Sequence, residues 1–296
     1  MALTAEQLDL HRDHIGGSMA PIIAGVSPRM TARELYEVMR GNLPEPEGDP
    51  VAAMLGHAIE PAAHRWYETE TGRELQRAHK TRHHRAHPRL IAHIDRRARR
   101  ERRLVEIKMR QHPEGWGAPG TDDVPDEVIC QVQHYLGVLG RGWPVADVVL
   151  LLRGIEFRRY EVPRDPGIIE TLFDQELEFL ARLDAADPPE IDHAHPSAVS
   201  LLERLHPGTN GRIVELEESD AHWAAVYLDA AEHEARYRRV RDEARAHLLE
   251  RIGDGAMGML PDGSAFSRKR VNRGAYEVGA TTYMGFQHRK PPRASA

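Results

Sequence analysis

The chain has 296 residues, 41% of them hydrophobic and 29% charged, with a formal net charge of −6. That size allows one large domain or two ordinary ones, and the apolar share is too high for a chain disordered throughout. No run of about 18 apolar residues exists for a membrane-spanning helix, residues 1–17 lack the apolar core of a secretory signal, and the single cysteine, Cys130, excludes an intrachain disulfide, an all-cysteine zinc site and a four-cysteine iron–sulfur cluster.

Residues 4–15 read as a short helix running into the Gly-rich turn Ile15-Gly16-Gly17-Ser18. Thr31, with Glu34 three residues on, forms a capping box for a helix from Ala32 to Arg40, and Gly41 stops it. The prolines between Pro44 and Pro50 mark a loop. A helix over 51–71 follows, with Met54, Leu55, Ile59, Ala62 and Trp66 on one side. Pro61 predicts a kink or a break there, and Gly72 an end. Arg89 to Asp95 and Leu104 to Met109 read as the two strands of a hairpin. Asp126 to Leu139 is a helix; Asp147 to Leu152 and Phe157 to Val162 are strands joined at Gly154. Residues 167–184 place Ile168, Leu172, Phe173, Leu177, Leu180 and Leu183 at helical spacing.

The first 185 residues are therefore α/β (α+β): a small mixed sheet flanked by helices. Asp184 to Pro196, rich in Pro, Asp and Ala, marks a boundary between a domain over 1–185 and a mostly helical region over 186–296. That region holds a long helix over 219–251 with Trp223, Val226, Tyr227, Ala230, Tyr237, Val240, Ala244 and Leu248 on one stripe. A strand pair within Ser267 to Val278 and a disordered tail over 288–296 complete it.

Charge is unevenly spread. Residues 76–110 hold 13 Lys and Arg against 3 Asp and Glu, a local balance of +10 in an otherwise acidic chain. A basic island is what a phosphate-binding surface needs. The run Arg96 to Arg103 lies in the turn between the two proposed strands, as a DNA-tracking element or as a solvated hairpin tip. His79, His83, His84, His87 and His93 lack cysteine and regular spacing, so they do not read as a zinc site.

The chemically informative unit is Asp95 followed eleven residues later by Glu106-Ile107-Lys108. On a strand, Glu106 and Lys108 share one face. Two carboxylates make a hard-oxygen site for Mg²⁺ or Mn²⁺. Such an ion activates water and neutralises charge on a phosphodiester, and an adjacent lysine stabilises the crowded phosphate. By itself this pattern also fits an ordinary surface ion pair. Three features accompany it: the Gly-rich turn, able to hold a phosphate; Glu60, on a helix ahead of the strands; and Gln131-Val132-Gln133-His134-Tyr135, in which Gln131 and Tyr135 share a helical face.

Arg12, Ile15-Gly16-Gly17-Ser18, Gly56, Glu60-Pro61, Asp95, Glu106-Ile107-Lys108, Trp116, Gln131 to Tyr135 and Arg164-Asp165 occur in that order. The arrangement resembles the YqaJ-like viral recombinase family, related to the phage lambda type of alkaline exonuclease within the PD-(D/E)XK nucleases, over residues 10–185. The resemblance implies a restriction-endonuclease-like core. It implies an exonuclease needing Mg²⁺ (or Mn²⁺) that degrades one strand of linear duplex DNA from its 5′ end. The product passes to a single-strand annealing protein for recombination. A ring-like homo-oligomer, a trimer, in the cytoplasm of a bacterial host completes the expectation, with no membrane partner.

By the same resemblance, Asp95, Glu106 and the Ile107 carbonyl look like metal ligands, with Glu60 as a supporting carboxylate. Lys108 looks like the catalytic lysine and Gln131 like the active-site glutamine. Arg12 and Ser18 look like binders of the 5′-phosphate; Gly17, Gln133 and Tyr135 are expected beside them on the DNA side, and Arg96 and Arg97 join them as part of the basic run. Three positions depart from the family pattern: Ile94 stands where Pro is common, Arg96 where Gly is common, and Met19 where Asp is common. Another PD-(D/E)XK repair nuclease, a DNA-end-binding scaffold and a nucleotide phosphohydrolase are the alternative readings.

Overall fold

A computed structural model describes residue 10 and residues 12–271 apart from 47, 48 and 79; for 50, 52, 53 and 57 it describes the backbone alone. Contacts divide the chain into two units, residues 1–206 and 207–296. The first unit opens with β1 (Ile15–Gly16), α1 (Ala20–Ile23) and α2 (Ala32–Met39). Thr31 caps α2 by accepting a hydrogen bond from the Glu34 amide, as its spacing predicts. Next comes α3 (Pro50–Thr71), capped by the Asp49 carboxylate on the Val51 amide and ended by Gly72 at φ 68°. It runs unbroken through Pro61, so the expected break does not occur. The burial of Ala63 and Tyr67 against the sheet offsets the missing hydrogen bond. Met54 and Leu55, expected on the packed side, are exposed.

The site-bearing sheet has the order β2 (Leu75–Arg77), β5 (Arg96–Ala98), β6 (Arg103–Arg110), β7 (Val145–Leu152), β8 (Glu156–Pro163). β6 and β7 are parallel, and the other pairs are antiparallel. Arg153 and Gly154, both at positive φ, make the turn between β7 and β8. α3 covers one face through Val105 and Val149. The other face, with Leu104, Val148 and Leu150, packs in one core with residues of α4 (Asp126–Leu139) and α5 (Pro166–Ala185). The mixed α/β class expected from the sequence is the observed one.

The hairpin expectation needs correcting. β4 (Leu90–Ala92) does not pair with β6. It joins a separate sheet, parallel to β1 and antiparallel to β3 (Arg82–His83). The partner of β6 is β5, with Arg96 opposite Val105. Asp95 therefore sits in the break between two sheets, and Arg96 and Arg97 lie on a strand rather than in the turn. A short helix, α6 (Ala198–Leu205), was not anticipated. Arg204 pairs with Glu34, and His195 bonds the Ser27 carbonyl, which ties residues 195–204 to the first unit.

In the second unit α7 (Glu218–Ile252) matches the expected long helix and buries no residue. β9 (Met257–Met259) and β10 (Ala265–Ser267) form a hairpin just ahead of the expected strand pair. The rest of that pair, the tail over 288–296 and most of the helix expected over 4–15 lie outside the described residues. Among the described residues no helix is long and apolar enough to cross a membrane.

His134 of α4 joins three elements. Its Nδ1 meets Glu176 of α5 at 2.7 Å and its Nε2 meets the Ile91 carbonyl of β4 at 2.8 Å, all fully buried. Burial pulls the imidazole pKa down, but the Glu176 charge and the two hydrogen bonds lift it above the usual value. A raised folded pKa gives stability that is complete below the unfolded value of about 6.5 and lost as pH rises through the folded value. His134 is expected to remain an imidazolium in NMR titrations where exposed histidines have become neutral. Titration at or below the exposed histidines would contradict this.

Candidate active site

β6 alternates its side chains. Val105 and Ile107 face α3, while Glu106 and Lys108 face α4. The Lys108 ammonium donates to Glu106 Oε1 at 2.8 Å and to Gln131 Oε1 at 2.6 Å. The Gln131 amide donates to the same Glu106 oxygen at 2.9 Å and to the Tyr135 hydroxyl at 3.0 Å. Asp95 Oδ2 accepts the Ile107 amide at 2.9 Å, which brings its carboxylate to the middle of β6 from the sheet break. So the structure assembles Asp95, Glu106, Lys108 and Gln131 at one place.

The electrostatics of this group call for a cation. Burial, and then the Glu106 charge, push the Asp95 carboxyl up to about 7. Glu106 Oε2 is buried with no hydrogen-bond partner. An orphaned carboxylate oxygen near a second, half-buried carboxylate fits a hard divalent ion. Among the described residues no group of three His, Cys, Asp or Glu is arranged to hold a metal, so the two carboxylates stand without a third. Glu60 is engaged instead by Arg96, at 2.8 Å.

Gly17 is required by close approach. A Cβ there would lie 2.3 Å from the Tyr135 ring. Tyr135, expected on the DNA side, is 5% exposed between Gly17 and Gln131 and accepts a hydrogen bond from the glutamine. Ser18 is exposed and lines a cleft of about 550 Å³ with Arg29, Lys108, Arg110, Glu127 and Gln131. Arg12 is exposed on the turn before β1, outside that lining. Two expectations on the DNA side are corrected. Gln133 is 1% exposed, its amide donating to the Pro163 carbonyl and its oxygen accepting from the Asp165 amide, which makes it an internal strut. Arg96 is buried against Glu60. Arg97 remains partly exposed along β5, beside Gln76 of β2.

The basic island is less free than its charge implies. Arg89, Arg96, Arg99, Arg103, Lys108 and Arg110 all take part in ion pairs. Arg110 was missed as a cleft residue. It lies two positions beyond Lys108 on the same strand, so the alternation that finds Lys108 also finds it. Glu127 holds Arg110 at 2.8 Å and lies 3.7 Å from Arg29. Trp116 packs on Tyr160 in the core, and burial pushes the Cys130 thiol up to about 11.

The mixed sheet thus carries an aspartate at the strand break and Glu-x-Lys on its central strand. Residues 6–142 match the YqaJ-like viral recombinase domain. The chain is 26% identical over 258 residues to the uncharacterized protein YqaJ of Bacillus subtilis (strain 168), covering 86% of this chain and 80% of that one. Among solved structures it is similar to LHK-Exo in complex with dAMP, at 21% identity and a TM-score of 0.48, covering 62% of this chain and 94% of that one. It is also similar to the alkaline exonuclease LHK-Exo from Laribacter hongkongensis, at 20% identity and a TM-score of 0.47 with the same coverage. The family match falls on the part of the chain that carries the site residues from Arg12 to Tyr135.

Proposed function

We propose that this chain is a Mg²⁺- or Mn²⁺-dependent exonuclease acting on linear duplex DNA from the 5′ end. The observation that carries the reading is the orphaned Glu106 oxygen beside Asp95, with Lys108 and Gln131 fixed at hydrogen-bond distance. Asp95, Glu106 and the Ile107 carbonyl would hold the ion, which supplies charge neutralisation and an acidified water. Lys108 brings a fixed positive charge to the reacting phosphate, and Gln131 holds that ammonium in place. Tyr135 and Gly17 keep Gln131 from rotating away. Arg29 and Arg110 give the cleft a cationic wall for the DNA backbone.

Polarity, delivery of single strands to an annealing protein in the cytoplasm, and a trimeric ring are supported by the family resemblance. The exposed stripe of α7, with Trp223 and Tyr237 each 68% exposed, offers a surface for a neighbouring subunit. Light scattering is expected to give a multiple of 33.4 kDa; a monomer that degrades long duplexes processively would reject the ring.

The functional test is a linear duplex labelled at either the 5′ or the 3′ end. With Mg²⁺, the 5′ label is released first, and EDTA stops release. A 5′-phosphorylated end is degraded faster than a 5′-hydroxyl end, and Ser18→Ala narrows the difference. Equal release from both ends, or release in EDTA, would overturn the reading.

A further inference from the structure

We infer that Arg96 is a positioning residue that holds Glu60 as its own counter-charge, so that Glu60 is not a direct ligand of the divalent ion. The inference rests on the metal-site reading above. The Arg96 side chain is only 6% exposed. Its Nη2 donates to Glu60 Oε2 at 2.8 Å, and its Nη1 donates to the carbonyl of Asp95 at 2.8 Å. Its Nε has no partner. A guanidinium does not lose its proton, so this charge is permanent.

A buried charge needs its partner, and removing one member of such a pair is strongly destabilising. Among the described residues Glu60 is the only carboxylate ion-paired with Arg96. Drawing Glu60 onto a divalent ion would leave a bare guanidinium buried next to that ion. The cost comes twice, as lost pairing and as cation–cation repulsion. The geometry therefore gives Glu60 to Arg96. The same guanidinium clamps the peptide of Asp95, linking α3 to the residue that ends the sheet break.

The test is Mn²⁺ titration by calorimetry on the full chain. Arg96→Met keeps the stem and removes the charge; it frees Glu60 and is expected to tighten Mn²⁺ binding about tenfold. Glu60→Gln leaves Arg96 unpaired and is expected to weaken binding about tenfold and to lower the melting temperature. The double variant Arg96→Met with Glu60→Gln removes the pair together. Its affinity is expected within about threefold of wild type, because the two opposite charges leave together and the net charge beside the ion is unchanged. The double variant also serves if either single variant fails to fold. A double variant as weak as Glu60→Gln would show that Glu60 is a ligand and overturn the inference. Weaker binding in Arg96→Met would overturn it as well. Asp95→Asn separates the two readings: unchanged Mn²⁺ binding in that variant would reject the metal site itself, whatever Arg96 does.

Discussion

Lys108→Ala is expected to lower turnover on linear duplex by about 10²–10³-fold, the scale of losing one preorganised charge donor in a desolvated site. Affinity for DNA is expected to change little. The ammonium is held by Glu106 and Gln131 before any substrate arrives, so its position needs no reorganisation during reaction. A group arranged in this way acts more on the transition state than on the ground state. Single-turnover rates and equilibrium binding on the same duplex separate the two. Lost affinity with unchanged turnover would make Lys108 a phosphate contact only. Gln131→Leu should follow Lys108→Ala in direction with a smaller loss, because Glu106 still holds the ammonium.

The second large effect concerns stability. Asp147 of β7 is fully buried and accepts from the Tyr67 hydroxyl at 2.5 Å, from Arg103 at 2.8 Å and from Arg159 at 3.2 Å. This cluster fastens α3 to β6, β7 and β8. Asp147→Leu leaves two arginines and a phenol without their common acceptor. The expected loss is about 3–5 kcal/mol, the cost of breaking a buried ion pair from one side. Glu161 also binds both arginines but is partly exposed, which places the loss at the lower end. Tyr67→Phe removes one hydrogen bond and is expected to cost about 1 kcal/mol. Urea unfolding of both variants measures this. An Asp147→Leu variant as stable as wild type would show that the cluster only fills space.

Features written in local chemistry were legible before the structure. The Thr31 cap and the Gly72 stop follow from short-range rules about backbone donors and left-handed residues. The sharing of one face by Glu106 and Lys108 follows from strand alternation, and the Gln131–Tyr135 bond from helical spacing. What was not legible depends on distant partners. β4 pairs with β1 because Ile15 and Leu90 meet across 75 residues, and no local pattern reveals that register. Arg96 and Gln133 read as polar surface groups until burial shows one beside Glu60 and the other bonded to Pro163 and Asp165. Tyr67 carries no local signal either, because its partner Asp147 lies 80 residues away in sequence.

The most direct test of the central claim is Mg²⁺-dependent nucleotide release from linear duplex by wild type and by Asp95→Asn, with DNA binding measured on the same preparations. If Asp95 and Glu106 share the divalent ion, wild type releases nucleotides with Mg²⁺ and stops in EDTA. Asp95→Asn then loses about 10³-fold or more, equivalent to several kcal/mol of charge stabilisation, while still binding duplex. Asp95→Asn releasing nucleotides at the wild-type rate, or wild type working fully in EDTA, would contradict the account.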